Sequence, residues 1–577
     1  MQQLLIAFSE HLRSIGVFLG SPSTQLLALP LLGVLFICLT PPSQVKRIRA
    51  YAATFSGLSL LVAVLMLTGL PAALRNFPLL ANYLPFDPGQ APPLQFTQDF
   101  KWLSISVSEH VSFAVDYSVG VDGLNMPLIL LATAVIFFAV IWALPRTERV
   151  RDFFALTLLM ETGILGVFVA LDYVLFYLFW ELMLIPMFFL IAGWGPRREQ
   201  AARAAIKFFV YTMFGSVFML IAFIAMKVLS SPTPYSFSVP DIMTYMVTDG
   251  MALKLHWREL MFVGLALGFA VKVPMFPFHT WLPDAHTEAP TEMSVILAAV
   301  MLKTGAYGLL RMAYPTFPDV GYALGPVIAC CGVVGIVYGA AVTLVQTDFK
   351  RMVAYSSISH MGFILLGISA MNPDALIGAV YMMVAHGAVI ATLFFLTDVV
   401  ERRYGTRDLR ELGGMLKCAP SYAYVLGLAA FAGMGLPGLI SFWGEFLVLK
   451  GTYFNGPSWS SVQVGWMDGS RFLQILAIIS VVGILTTAVY MVNMLQRVLP
   501  GEMRNAGAAA GGAGGADAAG QAGAPRAVQP WRGFRLTDGV ALVPLSAAIV
   551  VFGLYPAPIV NSCLSWAAAA WELYLRF

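Results

Sequence analysis

Apolar residues run along this chain in long blocks broken by short polar punctuation, and the blocks are too long for strands or for the core helices of a soluble domain. A helix that crosses a bilayer needs about 20 mostly apolar residues, and scanning for such runs predicts about fourteen spans. The first seven cover Gln25 to Leu39, Tyr51 to Leu70, Leu124 to Leu144, Phe153 to Leu171, Tyr173 to Trp194, Ala204 to Leu229 and Leu260 to Trp281. The next seven cover Thr291 to Ala313, Tyr322 to Gln346, Met352 to Met371, Ala375 to Val400, Ser421 to Lys450, Phe472 to Leu499 and Gly539 to Tyr555. A last run, Ile559 to Tyr574, is apolar but short, and residues 1–20 fit no single pattern. The fold class expected is all-α, a polytopic membrane protein.

Composition strengthens that reading. Hydrophobic residues make up 59% of the chain and charged residues 11%, against about a quarter charged in soluble domains. A net charge of +3 says little when so few charges are present, and nothing resembles a nucleic-acid footprint. The five cysteines lie in or beside apolar runs without a CxxC spacing, so no disulfide framework, zinc site or iron–sulfur cluster is expected. Glu10, His11 and Arg13 interrupt the first apolar run, so no cleavable signal is expected and the first span directs insertion.

Charge placement orients the spans. Loops after odd-numbered spans carry Lys46, Arg47 and Arg49, then Arg146, Arg149 and Arg151, and later Arg402, Arg403 and Arg407. Loops after even-numbered spans are richer in Asp, including Asp87, Asp99, Asp116 and Asp122. The positive-inside rule then puts both termini outside and the basic loops in the cytoplasm; the membrane expected is a bacterial cytoplasmic (inner) one. The glycine- and alanine-rich stretch from Asn505 to Gln529 lacks the bulk to repay ordering and reads as a flexible linker.

Against this background some charges are out of place. At 1.5 Å per residue, Glu181 sits about 13 Å into its span, and Lys272 and Lys303 about 18 Å into theirs. His360 is similarly deep and His386 is interior to MMVAHGAVIATLFF. A Lys or Asp at a helix centre costs about 2.5–3.5 kcal/mol. A lone buried histidine is more often a hydrogen-bonded packing residue than a relay, and Glu161 carries no stronger signal. A buried lysine has no acceptor capacity and demands a partner or water. Pro274 and Pro277 predict a break just after Lys272, and Gly433, Gly435, Pro437 and Gly438 predict another before Glu445. Paired interruptions in two halves of a membrane protein point to a transport site, and their separation by five spans suggests an inverted repeat of spans four to eight and nine to thirteen. Aligning the two breaks sets Lys272 opposite Gly435. The domains expected are residues 1–150 (three helices and a long external loop), 151–320 and 321–500 (the two repeats), and 501–577 (linker and last helix).

The blocks FWELMLIPMFFLI, FAVKVPMFPFHTWLPDAHTEAPTEMSVILAAVMLKTGAYGLLR, DFKRMVAYSSISHMGF and GLPGLISFWGEF resemble the antiporter-like membrane subunits of respiratory complex I, NADH:quinone oxidoreductase, and most closely their M branch. The resemblance implies a fourteen-helix core with two inverted five-helix repeats and a proton-translocating role. It implies that Glu181 pairs with Lys272, that Lys303 is the central relay lysine, that His360 and His386 are relay histidines, and that Glu445 is the terminal carboxylate. A glutamate at 445 favours the M branch over its lysine-bearing relatives, while the glycine–alanine stretch departs from the family pattern. It implies no cofactor in this chain, with FMN, iron–sulfur clusters and quinone held by partner subunits. The partners implied are antiporter-like subunits of the L and N types, small membrane subunits and the lipid bilayer, without nucleic acid. Two unit charges about 4 Å apart at an effective dielectric of 20 interact by about 4 kcal/mol, which exceeds the about 2.3 kcal/mol per charge of a 100 mV potential. A switch in the Glu181–Lys272 pairing is therefore large enough to push a proton toward Glu445. The alternatives are a subunit of a multi-subunit sodium/proton antiporter or membrane hydrogenase, and a non-transporting scaffold.

Overall fold

The computed structural model describes residues 20–70, 82–89, 94–108, 111–230, 237–455, 457–501 and 533–576. The glycine–alanine stretch and the opening residues lie outside this set. In chain order the helices are α1 (Pro22–Leu39), α2 (Val45–Thr68), α3 (Met126–Ala143), α4 (Val150–Val169), α5 (Tyr173–Trp194) and α6 (Arg198–Leu229). Then come the short α7 (Val239–Val247), α8 (Leu255–Lys272) and α9 (Leu282–Glu288). The continuous run α10 (Thr291–Thr316) follows. After it come α11 (Pro318–Leu344), α12 (Phe349–Ser369), α13 (Pro373–Tyr404), α14 (Pro420–Gly433), α15 (Ile440–Tyr453), α16 (Gly469–Val498), α17 (Leu536–Leu554) and α18 (Ala557–Tyr574).

Among the described residues, twelve helices are long and apolar enough to cross a membrane by length and composition. They coincide with the unbroken expected spans. The seventh and twelfth spans are the broken ones, α8 with α9 and α14 with α15. Helices α10, α12 and α13 are buried on nearly every side, whereas α6 and α16 turn Val210, Phe214, Ile221, Ile478, Leu485 and Val489 outward. Buried polar residues inside an apolar exterior are the arrangement a bilayer demands.

One end of the bundle carries the basic loops and is called here the arginine-rich face. The other carries an antiparallel hairpin, β1 (Gln95–Ser108) and β2 (Val111–Val121), with register shifts at three places. The sequence reading treated this segment only as a loop, although KWLSISVS and SFAVDYSVGV alternate with the period of a strand. The hairpin is tied to span ends: Ser23 Oγ donates to the Phe96 carbonyl at 2.8 Å and Leu171 N–H to Ser118 at 2.8 Å. The last apolar run forms α18, whose buried stripe Ile559, Cys563, Trp566, Ala567, Ala570 and Tyr574 has one-face helical spacing. Cys563 Sγ meets the Gly123 carbonyl at 3.4 Å, so α18 lies across the hairpin face.

Both breaks resatisfy the backbone groups they free. After Lys272, Met275 N–H donates to Ala270 at 2.9 Å and Trp281 Nε1–H to Val271 at 3.0 Å. In the second break Gly435 N–H donates to Ala432 at 3.1 Å and Leu436 N–H to Phe431 at 3.2 Å. Gly435 and Gly438 have φ of 71° and 91°, conformations that glycine adopts without a Cβ penalty. The two five-helix blocks also share close pairings: α4 with α5 and α6 with α8 in the first, α11 with α12 and α13 with α15 in the second.

Candidate functional site

Lys303 lies in α10 between two π-helical turns, Leu297–Met301 and Leu309–Ala313. Such turns offset the hydrogen-bond ladder and recur at functional sites. The Lys303 side chain is fully buried and its Nζ donates to the Ala298 carbonyl at 2.6 Å, in the first π turn. It also meets His386 Nδ1 at 2.5 Å. What lets α13 come that close is Gly387, where a Cβ would stand 3.0 Å from the Ala299 carbonyl and 2.6 Å from Leu131.

From His386 the line continues. The His386 and His360 rings are 5.5 Å apart between centroids, and His360 Nδ1 is 3.9 Å from Glu445 Oε1. Glu445 reaches this place because α15 packs tightly on α13, where a Cβ at Gly444 would stand 2.9 Å from Met382 Cα. Its carboxylate folds back over the break, 2.1 Å from where a Gly435 Cβ would lie. The alignment that set Lys272 opposite Gly435 thus finds a charge there after all, supplied from the next half-helix. Lys303, His386, His360 and Glu445 form one buried string drawn from four helices.

The hydrogen bonds fix part of its chemistry. When Lys303 is an ammonium it can only donate, so His386 Nδ1 then accepts and the imidazole proton sits on Nε2. Among the described residues, His386 Nε2 and His360 Nδ1 have no hydrogen-bond partner, and water is what can bridge such buried groups.

Glu181 and Lys272 stand apart from this string. Lys272 is fully buried, with Nζ 5.6 Å from the centroid of the Trp180 ring and 5.4 Å from that of Phe208. Among the described residues, neither its Nζ nor Glu181 Oε1 has a hydrogen-bond partner. The expected Glu181–Lys272 pair is therefore not closed in this conformation, although Glu181 is the acid whose field reaches Lys272. Aromatic faces give the ammonium partial compensation.

Several buried groups escaped the sequence reading. Arg311 pairs with Asp122 at 2.6 Å and bonds to Tyr307 at 3.2 Å. Arg258 pairs with Asp319 near the hairpin face. At the other end, arginines read as topology signals are also partners, Arg146 with Glu292 at 3.0 Å and Arg402 with Asp538 at 3.0 Å, and Arg197 pairs with Glu288. His286 and Lys350 are buried beneath them. Glu161 accepts from Ser56 at 3.4 Å and lies off the string. Outside the spans, the Arg410 side chain holds the Asp408 carboxyl below its ordinary value of 3.8 by hydrogen bonding and charge.

The fold and this string define an α-helical integral membrane protein with broken helices around a polar core, the architecture of antiporter-type transport subunits. Residues 170–469 match the family described as NADH:quinone oxidoreductase/Mrp antiporter, TM, and the chain belongs to that family. It is 37% identical over 481 residues to NAD(P)H-quinone oxidoreductase chain 4 3 of Trichormus variabilis, covering 83% of this chain and 81% of the relative. It is 34% identical over 504 residues to NADH-quinone oxidoreductase subunit M of Rhodobacter capsulatus, covering 86% and 87%. A chain of respiratory complex I from Thermus thermophilus superposes with a TM-score of 0.75 at 24% identity, over 96% of this chain and 99% of that one. A chain of the Mrp complex from Dietzia sp. superposes at 0.72 with 20% identity, over 96% of this chain and 55% of that one.

Proposed function

We propose that this chain is a proton-pumping subunit in the membrane arm of an NADH:quinone oxidoreductase. The observation that carries the reading is the buried string from Lys303 through His386 and His360 to Glu445. The arginine-rich face is the cytoplasmic side of a bacterial inner membrane, and the hairpin, α18 and both termini face outward. Neighbouring subunits of the L and N types and small membrane subunits flank it. FMN, iron–sulfur clusters and quinone belong to partners, whose electron transfer supplies the energy. The two five-helix blocks are inverted repeats, each with one broken helix.

In operation, a Lys303 ammonium passes a proton to His386 Nδ1. The proton on Nε2 moves to His360, and from there to Glu445 for release outward. Lys272 is the switch: near Glu181 its ammonium is stabilised by an opposite charge, and away from it the positive charge repels a second one at Lys303.

The test is Lys303→Ala in the intact complex, reconstituted into vesicles, with NADH oxidation and the uncoupler-sensitive pH gradient recorded together. The expected result is continuing electron transfer with a diminished gradient per NADH. A gradient equal to wild type sinks the relay assignment. A purified complex without NADH-oxidising activity would point to the antiporter relatives of the same family instead.

A further inference from the structure

Beyond the relay, α10 carries a second set of polar groups on the half that runs from Lys303 to the hairpin face. Tyr307 and Arg311 follow Lys303 at intervals of four residues, about 6 Å and about 12 Å further along the helix. Tyr307 is fully buried, and Arg311 stands in the second π turn. Lys303 itself reaches the other way, back to the Ala298 carbonyl. Arg311 Nη2 pairs with Asp122 Oδ1 at 2.6 Å, and Asp122, just beyond β2, is 1% exposed.

The hydrogen bonds of this cluster run into groups that cannot hand a proton on. The Tyr307 hydroxyl donates to the Phe168 carbonyl at 2.8 Å, and its oxygen accepts from Arg311 Nε at 3.2 Å. A backbone carbonyl only accepts, and a guanidinium does not deprotonate in proteins. Asn125 Nδ2 donates to the same Phe168 carbonyl at 2.8 Å and to Gly120 at 3.1 Å, and an amide does not titrate. Asp122 Oδ1 also accepts from the Leu124 N–H at 3.0 Å and the Asn125 N–H at 3.3 Å. Arg311 thus stands between Asp122, the member that could take up a proton, and Tyr307, the member nearest Lys303 along α10.

The outer side of the cluster is covered by α18. A Cβ at Gly123 would stand 2.0 Å from the Ser562 carbonyl oxygen, so the chain after the hairpin and α18 touch backbone to backbone. Cys563 is fully buried there, against the Gly123 carbonyl. A staple that merely fastened the hairpin to the bundle would need the Arg311–Asp122 pair. It would need neither the closed hydroxyl of Tyr307 nor a helix laid over the end of the pair.

Building on the relay reading above, we infer that Tyr307, Arg311 and Asp122, covered by α18, form an insulator that closes the direct outward path from Lys303. The outward half of α10 leads straight from that lysine to the hairpin face. A proton taking it would bypass His386, His360 and Glu445, and one returning by it would discharge the gradient. A permanent cation in the path also repels an approaching proton, as arginines do in pores that exclude cations. With that path closed, the step open to a proton on Lys303 is the lateral one to His386. These residues carry no proton themselves; they determine the direction in which one leaves.

The experiment uses the whole complex in vesicles. It records NADH oxidation with the pH gradient it drives, and separately the decay of an imposed pH gradient without NADH. Arg311→His puts an exchangeable proton into the insulator; it is expected to oxidise NADH, hold a smaller gradient and let the imposed gradient decay faster than wild type. Wild-type decay in that variant overturns the proposal. Should it fail to assemble, Tyr307→His, one turn nearer Lys303, decides by the same readouts. Asp122→Asn with Arg311→Leu removes both charges without adding an exchangeable proton, and is expected to decay at the wild-type rate. A staple alone would tie leak to lost stability, so faster decay in that double variant also overturns the proposal. Tyr307→Phe is expected to pump as wild type; lost pumping with NADH oxidation intact would make the cluster a conducting exit and overturn it equally. Lys303→Ala separates this inference from the relay reading. Added to Arg311→His it is expected to restore wild-type decay, and a persisting leak sinks the insulator, whereas normal pumping by Lys303→Ala alone sinks the relay.

Discussion

Gly435 and Gly438 offer a matched pair of substitutions at the second break. Both have positive φ, 71° and 91°, so alanine at either forces a side chain into the left-handed region at a cost of about 1–3 kcal/mol. They differ in what the new methyl meets. At Gly438 the nearest atom is Leu554 Cδ2 at 3.8 Å, an ordinary contact, while at Gly435 it is Glu445 Oε2 at 2.1 Å. Carbon contacts settle at about 3.5 Å or more, so Gly435→Ala drives the carboxylate back by roughly 1.4 Å, the difference between about 3.5 Å and the 2.1 Å gap. That displacement falls on the last step of the string, where His360 and Glu445 are 3.9 Å apart. A misplacement of about 1 Å at a reacting group can cost about 100-fold in rate. Both variants are therefore expected to lose thermal stability in the detergent-purified complex, Gly435→Ala at least as much as Gly438→Ala. Only Gly435→Ala is expected to lose the NADH-driven pH gradient while NADH oxidation continues. Equal gradients in the two variants would refute the placement of Glu445 at the end of the line.

Two further predictions concern the scaffold around the string. Asp122→Asn removes the counter-charge of Arg311 and is expected to destabilise the complex by about 3–5 kcal/mol, the usual effect of breaking a buried pair; the double variant Asp122→Asn with Arg311→Leu should lose less than the two single losses combined, as read by thermal melting. Asp408, held below its ordinary 3.8 by Arg410, contributes stability that is present above 3.8 and lost as the pH falls through its lower folded value. Asp408→Asn should accordingly melt slightly lower than wild type at neutral pH, with the difference vanishing in strong acid. A constant difference across that range would count against the ion pair.

Much of this architecture is legible in the sequence because membrane physics leaves blunt signatures. The two breaks follow from Pro274 and Pro277 and from Gly435, Pro437 and Gly438, residues whose backbone effects are local. The depths of Lys303, His360 and His386 follow from helical rise alone. Other features depend on what lies across the bundle. The π turns around Lys303 have no residue signature. Lys350 sits beside Arg351 and looks like another basic residue at a span boundary; only the packing of α9 on α12 shows it to be buried. Asp122 and Arg311 meet across 189 positions, which no window detects. The open Glu181–Lys272 geometry is likewise a matter of side-chain placement, although both residues were visible as intramembrane charges.

The depths carry a consequence for how such a string can pump. Lys303 lies about 18 Å, and His360 about 17 Å, from the arginine-rich ends of their helices, while His386 lies about 20 Å from the opposite end of α13. The string therefore runs along the middle of the membrane, and a proton that travels its full length crosses none of the bilayer. Translocation needs a separate branch to each face, open at different moments; otherwise the string would be a leak. Of the two helix breaks, one lies by Glu445 at an end of the string, and the other follows Lys272, apart from it. At the Glu445 end Gly435 leaves room for the carboxylate to turn. On the proposed reading, alternating access then requires only that side chains at the two ends reorient in turn.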